Sequence, residues 1–184
     1  CGDSGPITLK TSREASYFDA VLKNLLQFGS ENEFKLVDFF PMGSDERQYC
    51  SPGFNLPVVC MSRSMFGTYP EYHTSMDNKE VMDFEALEEY INTLKALVDA
   101  IELDGYYNNQ LPYGEPQLGK RGLYPTLMKI EERGESHKRL LYTLNYSDGK
   151  YSLLDIANKI NTSVLAFAPE IEKLMEAGLL IKEK

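Results

Sequence analysis

Phe84, Leu87, Ile91, Leu94, Leu97, Val98 and Ile101 recur at helical spacing, with Glu85, Glu88, Glu89, Asn92 and Lys95 between them. A stripe repeating every three to four residues cannot sit on a strand, whose side chains change face at every residue, so this stretch has to be a long helix. Asp83 is placed to cap its start and Gly105 to stop it, leaving the charged positions as a solvated face. A second stripe, from Ala15 through Tyr17, Phe18, Val21, Leu22, Leu25 and Leu26, predicts a helix closed by Gly29 that covers one face of a sheet. Three apolar runs are of strand length: residues 7–10, 34–40 before Pro41, and 56–61. The last predicts a buried central strand, and the whole pattern reads as an α/β domain.

No apolar run approaches the roughly 20 residues that span a bilayer, which excludes a transmembrane segment. The composition, 42% apolar and 26% charged, is that of a soluble globular protein, and no charged leader or apolar signal core is visible, so a cytoplasmic chain is expected. Its 184 residues suffice for one ordinary domain, or one and a small module. The formal charge of −9 argues against broad attraction to phosphate backbones, and nucleic acid is not expected as a partner. Cys1, Cys50 and Cys60 lack metal-ligand spacing and read as reduced thiols rather than a disulfide framework or nucleophiles.

The C-terminal part has its own pattern. Residues 128–136, charged and glycine-containing, read as a linker. Beyond them, helical signals over 138–146 and 153–160 and a third ending at Ala177 precede a strand-like 178–182, a winged-helix plan for residues 137–184. Ser152 and Asp155 form a capping box on the second helix. The third helix offers Glu170, Glu172 and Glu176 against Lys173, which predicts a protein-contacting or self-associating module rather than a reader of DNA. Residues 106–125 lack periodicity and read either as an ordered loop over a site, with Lys120 or Arg121 holding an anion, or as a strap between domains.

Polar chemistry concentrates in residues 43–78, where Ser44-Asp45-Glu46-Arg47 and Tyr72-His73-Thr74-Ser75-Met76-Asp77 flank the 56–61 run. His73, one of two histidines, is either a metal ligand whose second nitrogen Asp77 orients or a loop residue bonded to backbone. Asp45, Glu46 and Arg47 form either an internal salt-bridged loop or a pocket wall in which Arg47 grips a carboxylate with its fork. Asp3, in a Gly-rich opening, is either an Asx turn or a carboxylate ligand.

The blocks SDE, PGFNLPV and YPEYHTSMDN resemble, in order, the last third of co-catalytic zinc aminopeptidases. With GDSGP at the start and EPQLGKRGLYPT later, they look more closely like bacterial polysaccharide-biosynthesis proteins that carry an aminopeptidase-like domain and a C-terminal winged helix. The match covers nearly the whole chain. It implies that residues 1–127 are the C-terminal part of a three-layer α/β/α domain using one or two zinc ions, with Asp3 and His73 as ligands. It implies further that Tyr72 donates to the oxyanion formed during hydrolysis of a peptide-like small substrate, and that Asp45, Glu46, Arg47 and Asp77 shape the pocket or support the ligands. The family's remaining ligands and its base glutamate would lie upstream of Cys1. The chain alone is therefore expected to be inactive, and to need the N-terminal half of the same protein or a homo-oligomeric partner. The competing expectation is a non-catalytic assembly protein that uses the winged helix for protein contacts; transcriptional regulation is weakened by the acidic third helix.

Overall fold

A computed structural model describes residues 2–30, 32–123 and 130–183; Cys1 and residues 124–126 of the last resemblance block lie outside them. The chain divides into two compact units, Cys1–Val98 and Asp99–Lys184.

In the first unit the order is β1 (Ile7–Lys10), α1 (Tyr17–Phe28), β2 (Phe34–Val37), α2 (Glu46–Tyr49), β3 (Cys60–Ser62) and α3 (Phe84–Leu103), whose last residues pass the division. The sheet order is β2-β1-β3, with β2 parallel and β3 antiparallel to β1. Every residue of β1 is buried. Because side chains alternate along a strand, Ile7 and Leu9 face one side, where they pack with Leu22 and Leu26 of α1 and Leu97 of α3, and Lys10 faces the other. The start of α1 follows its capping box: Ser16 accepts from the Asp19 amide while Asp19 accepts from the Ser16 amide. Asp19 also takes the amide and hydroxyl of Ser12. Burial pushes its carboxyl upward, but these bonds outweigh that and hold it below the usual value.

Two expectations are corrected here. The central strand is β1, not 56–61, of which only Cys60 and Met61 enter a strand, at the outside of the sheet order. Pro57 has no amide to donate, and the Leu56 and Val58 carbonyls accept from the buried Cys50 thiol, so that stretch has no ladder to join. The second concerns α3. Phe84, Ile91, Leu94 and Val98 are exposed, Phe84 at 71% and Val98 at 58%, while Ala86, Tyr90, Leu97 and Ala100 turn inward. Polar contacts set this orientation: Arg63 reaches the Ala86 carbonyl and Glu89, and the Tyr90 hydroxyl donates to the Met61 carbonyl at 2.6 Å. Glu89 is thus a bonded anchor rather than part of a solvated face.

The second unit comprises β4 (Tyr106–Asn109), α4 (Ile130–Tyr146), β5 (Asp148–Ser152), α5 (Leu153–Lys159), α6 (Ala168–Glu176) and β6 (Leu180–Lys182), with short 3-10 turns at Leu118–Arg121 and Val164–Phe167. Its sheet order is β5-β4-β6. Residues 106–109, read from sequence as loop or strap, are therefore the middle strand of the winged-helix sheet, and residues 130–136 of the expected linker lie in α4. Ser152 and Asp155 form their capping box, and the buried Asp104 accepts a further α5 amide, that of Leu154, at 2.7 Å. Gly178, at a φ of 66°, closes α6: its amide returns to Met175 and that of Leu179 to Leu174, satisfying carbonyls the helix leaves open.

Glu170 also departs from expectation. It is buried, takes the Ser136 hydroxyl at 2.7 Å and forms an ion pair with Arg139 at 3.1 Å, so the acidic surface of α6 reduces to Glu172 and Glu176. Removing one partner of a buried pair strands the other, so Glu170→Ala is expected to destabilise this unit by about 3 kcal/mol in urea denaturation, and Glu170→Gln by less. An equal loss in both would show that charge pairing is not what matters. For Asp19, the lowered folded value means that its contribution is complete above the ordinary carboxylate value and drains as pH falls through the lowered one. Asp19→Asn should therefore flatten the loss of stability seen between about pH 5 and about pH 3.

Candidate functional site

Asp3 precedes β1, and Ser64 follows β3, its antiparallel neighbour. Asp3 Oδ1 accepts from the Gly5 amide at 2.9 Å, the Ser64 hydroxyl at 2.5 Å and the Ser64 amide at 3.2 Å; Oδ2 receives only a 3.3 Å share of that last amide. Oδ2 therefore keeps acceptor capacity. Burial raises the Asp3 carboxyl, but the bonds from Ser64 and Gly5 overcome it and hold the group below its ordinary value, ionised at neutral pH. The Asx turn and the candidate-ligand reading thus describe the same side chain.

One residue along, Arg63 fixes this arrangement. It is buried and donates to the Gly5 carbonyl at 2.6 Å, the Ala86 carbonyl at 3.0 Å and Glu89 at 2.8 Å. Glu89 also accepts from Asn32 at 2.6 Å, and the hydrogen bond from Arg63 leads the causes that keep its carboxyl low. Sequence reasoning missed Arg63; the one signal was an arginine two residues past the strand-like 56–61 run.

Asp3, Ser64, Tyr69, Glu71, Met76 and Glu80 are among the residues lining a cleft of about 530 Å³. Burial and the charges of Asp77 and Asp3 push the Tyr69 phenol upward, so it stays a hydrogen-bond donor. Tyr69 meets Tyr72 edge-on at 5.7 Å, and Tyr72 stacks on His73 at 4.1 Å. His73 is exposed, is not among the residues lining the cleft, and holds a φ of 60°, a left-handed backbone uncommon outside glycine. Among the described residues no hydrogen bond joins Asp77 to His73, and Asp77 acts on Tyr69 instead.

The other polar run resolves differently. Glu46 is buried and pairs at 2.9 Å with Lys10, which is fully buried, rather than with Arg47. Its second oxygen accepts the Ser44 amide at 3.1 Å. Arg47 is exposed, as is Asp45, which lines a separate 370 Å³ cavity with Glu46, Cys60 and Tyr90. Cys60 is half-buried, and burial pushes its thiol up, away from a nucleophile's range. Zinc requires three or four ligands, of which the sequence offered two in Asp3 and His73, and among the described residues no group of three His, Cys, Asp or Glu side chains is placed to hold a metal ion. The residues present do not by themselves fit zinc.

Residues 1–104 match the family described as domain of unknown function (DUF4910). The chain belongs to that family. Residues 105–182 match a winged helix-turn-helix family, so the DUF4910 segment ends just before β4. A Clostridium acetobutylicum protein named "Putative polysaccharide biosynthesis protein with aminopeptidase-like domain" is 42% identical over 163 residues, 86% of this chain and 36% of its own length. A crystal structure of a "putative peptidase" from the same organism aligns with a TM-score of 0.86 at 35% identity, covering 99% of this chain and 40% of the other. The chain thus spans little more than a third of the length of these relatives. No described helix is long and apolar enough to cross a membrane.

Within the DUF4910 unit, Arg63 carries most of what orders the Asp3 side of the cleft. Arg63→Met removes a donor from three buried or half-buried acceptors and is expected to cost about 3 kcal/mol of stability. In the folded variant the Glu89 carboxyl should climb back toward its ordinary value in an NMR titration. A Glu89 titration that does not move would show that Arg63 is not what holds it down.

Proposed function

We propose that the DUF4910 unit contributes one wall of a metal-dependent peptidase site, acting on a peptide or amide bond, in a protein of its relatives' length. The observation that carries this reading is Asp3: a carboxylate held ionised at a cleft, one oxygen saturated by Ser64 and Gly5 and the other with acceptor capacity to spare. It is supported by the loop opposite, where His73 is kept in an unfavourable backbone conformation and stacked on Tyr72. In this reading the domain is a three-layer α/β/α sandwich, with Asp3 and His73 as two ligands of one or two zinc ions and the remaining ligands and the general base outside this chain. Zinc would supply polarisation of the scissile carbonyl.

The chain's own residues have narrower tasks. Asp3 presents a negative charge that needs no deprotonation at neutral pH. Tyr72 offers a phenolic donor for an oxygen that becomes negative, and Arg47, exposed at the start of α2, offers a fork for a substrate carboxylate. Asp77 adds negative charge that acts on Tyr69 at the cleft, while Asp45 lines the separate cavity beside Glu46. A place in surface polysaccharide synthesis and a cytoplasmic location belong to this proposal and rest on the likeness to the clostridial protein.

A second reading, assembly without catalysis, is favoured by one observation, the exposed apolar stripe of α3. Elemental analysis of a protein of the relatives' length that contains this segment separates the two. Near-stoichiometric zinc, lost in Asp3→Asn and in His73→Ala, is expected for the peptidase site. Zinc absent from the parent protein, or unchanged in both variants, would overturn it. Tyr72→Phe should retain zinc while lowering kcat about 10²-fold, the scale of losing one oxyanion donor.

A further inference from the structure

Lys10 has no role in the proposed peptidase site, yet it is among the largest fully buried side chains of the described residues, and it carries a charge. Burying an ammonium costs several kcal/mol even after relaxation, and an apolar pair in its place is often equally stable, so stability alone does not account for it. What Lys10 does is gather segments distant in sequence. Its ammonium donates to the Met42 carbonyl at 2.5 Å and to Glu46, and lies 3.9 Å from the Phe40 ring centre, 5.3 Å from Phe39 and 6.0 Å from Phe66. Cation–π attraction of this kind strengthens where water is excluded.

Phe66 is the joint that leads out of this cage. It meets Phe40 at 6.0 Å on one side and Tyr72 at 6.4 Å on the other, and Tyr72 stacks on His73. The packing at the joint has no slack: a Cβ built on Gly43 would come within 2.2 Å of a Glu46 oxygen and 3.2 Å of the Phe66 ring. Gly43 has a φ of 130°, so glycine is required there on backbone grounds as well. The buried charge pair therefore sets where Phe66 sits, and Phe66 is the surface against which Tyr72 rests.

We propose that Lys10 is a positioning residue for the Tyr72–His73 loop, acting through Glu46, Phe40 and Phe66. The inference gives that loop a use only if the peptidase reading holds, but the positioning itself is testable without metal or substrate. The chain has two histidines, His73 in the first unit and His137 in the second, so their ring protons are two separable NMR signals. Stacked at 4.1 Å on Tyr72, the His73 ring should resonate upfield of an unstacked histidine.

The experiment compares this chain with the double variant Lys10→Met, Glu46→Gln, which avoids stranding a lone buried charge. The expected result is loss of the upfield His73 shift, with the His137 signal and the far-UV circular dichroism unchanged. A His73 signal that stays in place in the folded double variant overturns the proposal. If that variant does not fold, Phe66→Leu decides: it replaces a half-buried ring, leaves the Lys10–Glu46 pair intact and cuts only the onward contact. The His73 shift should again be lost, and its persistence there overturns the proposal equally. Absence of zinc in the longer protein would leave these shifts as they are, so failure of the peptidase reading and failure of this one are distinguishable.

Discussion

Strand β1 is buried along its whole length, and a charge stands at each end of it: Asp3 a few residues before its start and Lys10 as its last residue. Lys10 is fully buried and Asp3 partly so; a charge taken wholly or partly out of water is met by fixed partners, and those partners decide which loops come to rest beside the strand. At the first end Asp3 recruits Ser64 and the Gly5 amide, with Arg63 behind them gripping α3. At the second, Lys10 recruits Met42, Glu46 and three phenylalanine rings. The site-bearing loops are thus ordered from the middle of the sheet outward.

Such anchoring suits a sheet of this size. Strands of three or four residues contribute few ladder bonds, and a three-stranded sheet gives little lever on connections as long as residues 38–59 and 63–83. Apolar packing does hold the helices: Leu22, Leu26 and Leu97 close over Ile7 and Leu9. Hydrophobic contact is non-directional, however, and fixes an element's depth better than a loop's orientation. Directional bonds from Arg63 and Lys10 supply what packing lacks, and catalytic or binding groups generally sit on loops held this way by a rigid scaffold.

What was legible in the sequence was local. The Ser16–Asp19 and Ser152–Asp155 boxes, the stop at Gly178 and the periodicity of both long helices each depend on residues within one or two turns, and each is where the pattern places it. The likeness to aminopeptidase-like polysaccharide-biosynthesis proteins was also legible, because its blocks are short and occur in a fixed order. Long-range pairing was not. Lys10 finds Glu46 36 residues away, and Arg63 finds Glu89 26 away. Neither pair leaves a periodic trace, so Glu46 read as a companion of Arg47 and Glu89 as one more solvated acid. Strand β4 was hidden for a related reason: Tyr106–Asn109 lacks alternation and is a strand because β5 and β6 bracket it.

The same distinction bears on α3. Its sequence stripe is apolar, and from periodicity alone that stripe had to face inward. It does not, because two buried polar demands outweigh it within this chain: the Arg63 guanidinium needs the Ala86 carbonyl and Glu89, and the Met61 carbonyl needs the Tyr90 hydroxyl. Leaving a buried arginine unpaired would cost more than leaving part of an apolar stripe in water. The helix consequently presents Phe84, Ile91, Leu94 and Val98 outward. Its amphipathic pattern and its polar anchoring therefore answer different demands: Arg63 and Met61 lie in this unit and fix the helix's rotation, while the apolar stripe stays exposed in a chain that covers 36% to 40% of the length of its relatives.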